Sequence, residues 1–234
     1  MEYMTPNFTK DMLKTHTILA PNMAPMQFAA IKAAMESEGY RIVMLENAGA
    51  EVAQLGLKYV HNDTCYPALL IIGQFLDALN SGKYDLQHTA LLISQSGGGC
   101  RASNYIKLLR KALVKAGYDY IPVASLNASG LEKGSSMPLS FRLLLKVLAA
   151  AEYGDLIAAL HNQVKPYEIN KGDAAACVAK WTAQVQDWLN HNKNYTIFSM
   201  KRRFKDIANY FAKIPVNRTP KVKVGVVGEI YVKF

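Results

Sequence analysis

The sequence has few of the features that mark disordered, secreted or membrane-spanning chains. Its 234 residues include 9 Pro, 15 Gly and 3 Cys, and 50% of them are hydrophobic. This composition excludes collagen-like and low-complexity chains and predicts a folded core. Three cysteines are too few for a disulfide scaffold in a chain of this length. The longest apolar runs, near 67–73 and 143–151, are well short of the roughly 20 residues of a membrane span.

The N-terminus also lacks the pattern of a secretory signal. Its first ten residues contain Glu2 and no apolar segment. We therefore expect a soluble, cytoplasmic protein with no membrane partner.

The net charge of +9 is carried by the C-terminal half of the chain. Residues 1–100 hold 6 Lys and Arg against 9 Asp and Glu, whereas residues 101–234 hold 21 against 9. The densest basic run comprises Lys201, Arg202, Arg203 and Lys205. Such a surplus fits nucleic acid, an acidic protein or a polyphosphate ligand, and it also fits a solvated helix face. The run has no RNA-binding or helix-turn-helix signature, which favours the solvated face and argues against nucleic acid.

Short β-rich segments alternate with helical patterns over the first 130 residues. Strands are predicted at 15–20, 41–45, 89–94 and 120–126, and helices after Pro25, around Pro67 and over 103–115. The region of Gly49 and Gly56 reads as a turn, and Asp63 or Thr64 as the cap of the Pro67 helix. Strand–helix repeats at this spacing predict parallel βαβ units, and hence a Rossmann-like three-layer α/β fold.

Three regions are expected along the chain. Residues 1–135 form the α/β domain with the cysteine loops, and residues 136–220 form a helical region. Residues 221–234 are either the first strand of a truncated second α/β unit or an extra strand of the sheet. The truncated unit is favoured, because a strand followed by a glycine turn normally leads into a helix.

Two cysteines lie in loops where a parallel sheet binds ligands. Cys65 stands at a predicted helix start, and Cys100 follows Gly97, Gly98 and Gly99 after a buried strand. The glycine N–H groups and the helix dipole favour an anion, and Arg101 favours the thiolate form of Cys100. No Gly-Lys-Ser/Thr or Gly-x-Gly-x-x-Gly pattern is present. The two thiolates could therefore hold a metal or an iron–sulfur cluster.

Two further side chains could in principle take part in the same chemistry. Cys177 reads as a small buried hydrophobe on a helix. His61, four residues before Cys65, is open as a ligand or proton donor, although a surface or core histidine is favoured. Zinc is disfavoured because no histidine lies close to Cys100 in the sequence.

Several segments resemble a known family. They are Asn62-Asp63-Thr64-Cys65-Tyr66-Pro67-Ala68, Gln95-Ser96-Gly97-Gly98-Gly99-Cys100-Arg101-Ala102-Ser103-Asn104-Tyr105, Tyr153-Gly154-Asp155 and Lys165-Pro166-Tyr167-Glu168. They look like the C-terminal part of large proteins related to 2-hydroxyacyl-CoA dehydratases and their ATP-dependent activators, the CoA-substrate-specific enzyme activases. The similarity runs from Thr5 to Phe234.

The resemblance implies an iron–sulfur electron acceptor that receives a low-potential electron from an ATP-hydrolysing activator protein or domain. It implies that Cys65 and Cys100 ligate a 4Fe-4S or larger cluster, beside Gly97–Gly99, Arg101 and Asn104. The reaction of this family is reductive or radical, and in the dehydratase branch it removes the hydroxyl from a 2-hydroxyacyl-CoA thioester. A homodimer is compatible with this assignment.

The chain also departs from the family. It has no ATPase motif, and the domain expected to bring a third cluster ligand is cut off near Lys221. We therefore expect the isolated chain to be inactive and its cluster incomplete or absent. Two alternatives stay open: a non-catalytic domain that binds the phosphates of CoA or a nucleotide at Gly97–Gly99, and a module that docks an activator through its basic helices.

Overall fold

The computed structural model describes residues 5–61, 64–95, 101–127, 137, 139–222 and 224–227. The chain folds into two compact units. The first contains the described residues 5–22 and 40–137, and the second contains Met23–Gly39 and Leu139–Val227.

The first unit is built on a parallel sheet. Its strands are β1 (Thr17–Pro21), β2 (Ile42–Leu45), β3 (Thr89–Gln95) and β4 (Val123–Asn127), in the order β2-β1-β3-β4. Leu19 of β1 pairs with Val43 of β2 and with Leu91 of β3, so β1 and β3 are central. Both leucines are fully buried, which explains the nearly continuous apolar composition of these strands. The predicted α/β class, with a Rossmann-like parallel sheet, is confirmed.

Helices occupy the connections between strands. They are α1 (Pro25–Glu36), α2 (Ala50–Tyr59), α3 (Tyr66–Asn80) and α4 (Tyr105–Ala116). α4 ends at Gly117 in the left-handed conformation, as predicted. The turn predicted around Gly49 and Gly56 is correct only at Gly49, which has a φ of 122° and precedes α2, whereas Gly56 lies within α2.

The predicted cap of α3 is also corrected. The N-cap residue is Cys65, and its side chain makes no capping hydrogen bond. α3 thus begins without the Asp or Ser cap that sequence rules favour. Pro67 lies in its first turn, where the backbone N–H that proline lacks would have no partner within the helix. Asp63 lies outside the described residues.

The second unit is helical. It contains α1, α5 (Phe141–Val164), α6 (Asp173–Asn190) and α7 (Ile197–Phe211). Tyr153 of α5 is fully buried against Trp188 and Phe204, and its hydroxyl donates to the carbonyl of Asn194 at 2.8 Å.

Helix α1 groups with this unit, although the sequence places it with the sheet-forming residues 1–135. Its buried face carries small residues, among them Ala30 and Ala33. Gly154 of α5 lies against Gln27 so closely that a Cβ there would be 2.7 Å from the Gln27 Cα. Small residues on both helices thus allow close backbone approach.

The strand predicted from Lys221 has no counterpart among the described elements. Within 221–227, residue 223 excepted, no residue joins a strand, and Val222, Val224 and Val227 are exposed. Residues 228–234 lie outside the described residues. None of the described helices combines the length and the apolar character that a membrane span requires.

Candidate functional site

The order of the strands defines a candidate binding edge. The chain passes from β1 to its neighbour β2 on one side, and from β3 to its neighbour β4 on the other. In open parallel sheets, ligands bind outside the carboxyl ends of the strands where the connections diverge in this way. We call this place, beyond Pro21 of β1 and Gln95 of β3, the switch-point edge.

Cys65 lies next to the start of α4. Its Sγ is 2.9 Å from the hydroxyl oxygen of Tyr105, the first residue of α4. Cys65 is half-buried, whereas Tyr105 is buried. The N-termini of α3 and α4 therefore meet at these two side chains.

Within the described residues, neither helix has a first-turn or N-cap side chain that offsets the partial positive charge of its N-terminus. Neither α3 nor α4 has an acidic residue in its first turn, and neither N-cap side chain accepts a backbone N–H. The first N–H groups of a helix have no partner within the helix, and the helix dipole adds to their partial positive charge. A thiolate or another anion is favoured where the two ends converge.

Two buried side-chain oxygens at the same edge lack hydrogen-bond donors. Gln95 ends β3 and is 7% exposed; its Nε2 donates to the Ser103 carbonyl at 2.7 Å, and its Oε1 has no partner among the described residues. Asn22 follows β1, and its buried Oδ1 is equally unpartnered within the described chain. An unmet buried acceptor costs about 1–3 kcal/mol. These oxygens are therefore suited to a guest that brings N–H or O–H groups.

Most of the predicted binding loop cannot be placed. Gly97, Gly98, Gly99 and Cys100 lie outside the described residues, and so does the separation of the two cysteine sulfurs. The backbone of Arg101 begins a 3-10 helix, Arg101–Asn104, while its side chain is not described. Asn104 is the N-cap of α4, and its side chain makes no capping hydrogen bond.

The other sulfur and imidazole candidates differ from Cys65 in their surroundings, and Cys177 belongs to the second unit. Cys177 is buried within α6, and burial raises the pKa of its thiol to about 11, so it behaves as the expected apolar filler. His61 is exposed beside Lys58 and Lys115 on another surface of the first unit. Over the described ranges, His, Cys, Asp and Glu nowhere form a cluster of three or more able to hold a metal ion.

Sequence reasoning did not single out Tyr105, the Gln95 amide or Asn22 as parts of the site. The Cys65–Tyr105 contact spans 40 residues, which no local pattern reveals. Gln95 did carry a signal, because it is a polar residue that ends an almost wholly apolar strand.

Fold and edge together define an α/β protein with a candidate ligand site at a topological switch point. Comparison of the chain with protein-family models, with curated proteins and with solved structures gave no match.

Proposed function

We propose that this chain is an iron–sulfur electron-acceptor component of the 2-hydroxyacyl-CoA dehydratase type, reduced by an ATP-dependent activator. The observation that carries the proposal is the contact between Cys65 and Tyr105. Tyr105 stands five residues after Cys100, so this contact brings the Cys65 loop to the helix that follows the Cys100 loop.

The electrostatics of the switch-point edge support a cluster held by thiolates. A cluster with cysteine thiolate ligands is anionic, and the N-termini of α3 and α4 stabilise negative charge there. Hydrogen bonds to the sulfur atoms also tune the reduction potential of a cluster. The Tyr105 hydroxyl lies within hydrogen-bond distance of the Cys65 Sγ, at 2.9 Å.

The described residues supply one cysteine ligand at the switch-point edge, and the expectation of an incomplete cluster stays a prediction. Cys65 is the only described cysteine at the edge, Cys100 would be the second ligand, and Cys177 belongs to the other unit. When bound, the cluster would supply a one-electron acceptor. The activator, the CoA thioester substrate and the dehydration step are parts of the proposal that rest on the family resemblance.

Anaerobic reconstitution with iron, sulfide and a small thiol tests the proposal, because the added thiol can fill ligand positions that the chain leaves open. We expect bound iron and sulfide with visible charge-transfer absorption, and substoichiometric iron without the added thiol. Cys65→Ser and Cys100→Ser should each lose most of the iron, while the matched control Cys177→Ser should retain it. Iron that is equal in all three variants, or that does not exceed the background of a Cys65→Ser/Cys100→Ser double variant, would contradict the proposal.

A second candidate is an anion site for the phosphates of a nucleotide or of CoA. The same N-termini favour it, since phosphate groups bind at helix N-termini. Cys100→Ser discriminates the two functions: it removes a cluster ligand, whereas a phosphate held by backbone N–H groups should bind with unchanged affinity.

A further inference from the structure

A cleft opens at the opposite, amino-terminal edge of the sheet. Its volume is about 530 Å³, within the range of small-molecule sites. Lys14, Arg41 and Lys83 line it, and they come from the segments that precede β1, β2 and β3 respectively. All belong to the first unit.

These three cations face one carboxylate in the cleft, while Glu46 and Asp77 line a neighbouring pocket with Lys83. None of them forms an ion pair with a carboxylate of the described residues, and Asp85 is the one acidic side chain among those that line the cleft. Asp85 is already engaged: Oδ1 accepts the Gln87 N–H at 3.1 Å, and Oδ2 is 2.7 Å from His88 Nδ1. The cleft is therefore positively charged at neutral pH.

A purely structural role explains only part of this arrangement. Lys14 ends a short 3-10 helix, Asp11–Lys14, and Lys83 follows α3 by three residues, so each offsets the negative end of a helix. Arg41 donates to the Lys14 carbonyl, which uses part of its guanidinium. That role does not require cations from three segments to line one cleft, and no carboxylate of the described residues lies within ion-pair distance of either ammonium group.

We propose that this cleft binds a phosphate-bearing small molecule with at least two linked phosphate groups. A single phosphate would engage only part of a surface with three cations, whereas a diphosphate presents acceptor oxygens to an arginine fork and to both ammonium groups. Thr17 and Tyr84 also line the cleft and add hydroxyl groups. The site is independent of the proposed function, because it lies at the other ends of the strands from Cys65.

Calorimetric titration with inorganic diphosphate at low ionic strength tests the proposal, with orthophosphate and sulfate as comparison anions. We expect diphosphate to bind more tightly than either, and the affinity to fall as salt is added. Lys83→Gln should weaken diphosphate binding about tenfold, and Lys14→Gln/Lys83→Gln should weaken it further. Both lysines are exposed, so the variants should fold.

Two controls separate this site from general attraction to a basic protein. Lys115→Gln removes an exposed cation from a different surface of the same unit and should leave the affinity unchanged. Lys58→Gln, on the same surface as Lys115, should also bind diphosphate normally. Affinity that survives the double lysine substitution, equal losses in the Lys115 variant, or no preference for diphosphate over sulfate would each overturn the proposal.

Discussion

The contact between α2 and α3 allows a sharp test of the structure, through Gly73→Ala. A Cβ at Gly73 would lie 2.1 Å from the carbonyl oxygen of Val52 and 3.2 Å from the backbone nitrogen of Gly56. A Cβ at Gly56 would lie 2.2 Å from the carbonyl oxygen of Leu69. Backbone therefore packs on backbone, and no side-chain rotation can relieve the clash.

The magnitude follows from two opposed effects. To restore ordinary contact, the helices must separate by about 1 Å, and overpacking of this kind costs about 3 kcal/mol at the upper end of its usual range. Alanine returns about 1 kcal/mol of helix propensity relative to glycine. The expected net loss is about 2 kcal/mol, equivalent to a midpoint lowered by roughly 5–10 °C for a unit of this size.

Urea and thermal unfolding followed by circular dichroism would measure this loss. Gly56→Ala should show a loss of similar size, whereas the control Gly225→Ala should not, because no atom lies within 4 Å of a Cβ at Gly225. α3 also carries Cys65 at its start, so Gly73→Ala should change the alkylation rate of Cys65. A Gly73→Ala variant within about 0.5 kcal/mol of the parent would refute the packing described for α2 and α3.

Three further predictions concern single side chains. Cys177 should react with iodoacetamide far more slowly than half-buried Cys65 in peptide mapping, because its thiol is buried and its pKa is raised to about 11; comparable rates would contradict its placement. Burial, His88 and Arg41 lower the pKa of His16, so the unfolded chain binds more protons there and stability should fall as the pH drops through about 6.5. His16→Gln should flatten that dependence of the unfolding midpoint, and an unchanged slope would exclude His16 as its source. Lys146 is fully buried and contacts Ser37 and Glu38. Lys146→Ala should lower the free energy of unfolding by about 3 kcal/mol, because it removes the apolar stem as well as the ammonium group. Lys146→Met should lower it by less than about 1.5 kcal/mol, because methionine keeps an apolar stem and Glu38 keeps its ion pair with Arg142 at 3.3 Å. Equal losses in denaturant unfolding would show that packing of the stem contributes nothing.

The sheet was predictable because its signals are local. The run that forms β3 is apolar almost throughout, and Gly117 ends α4 where the sequence indicates. α2 was missed because Gly56 reads as a helix breaker, whereas its function is close approach to the Leu69 backbone. The grouping of α1 with the second unit depends on the close approach of Gln27 to Gly154 of α5 and on the buried alanines of α1, which sequence periodicity does not encode.

The candidate site was predictable only in part, for the same reason. A cysteine at a helix start and a glycine loop after a buried strand are local features, but only the glycine loop follows a strand directly. Cys65 lies between α2 and α3, so the prediction that its loop leaves the carboxyl end of a strand is wrong. The approach of Cys65 to Tyr105 depends on how α3 and α4 pack, and the unmet oxygens of Asn22 and Gln95 depend on burial. Neither can be read from spacing along the chain.

The switch-point edge contains helix N-termini that favour anions and buried oxygens that accept hydrogen bonds, and both constrain the proposed function. The N-termini of α3 and α4 favour negative charge, which the proposed thiolate-bound cluster would supply. The buried oxygens of Asn22 and Gln95 need hydrogen-bond donors, which the inorganic sulfides and thiolates of a cluster cannot supply. If the cluster binds here, no donor among the described residues reaches these oxygens, and a second group with O–H or N–H donors would fit beside the cluster. A substrate hydroxyl meets that need, and so does an ordered water molecule that the substrate displaces.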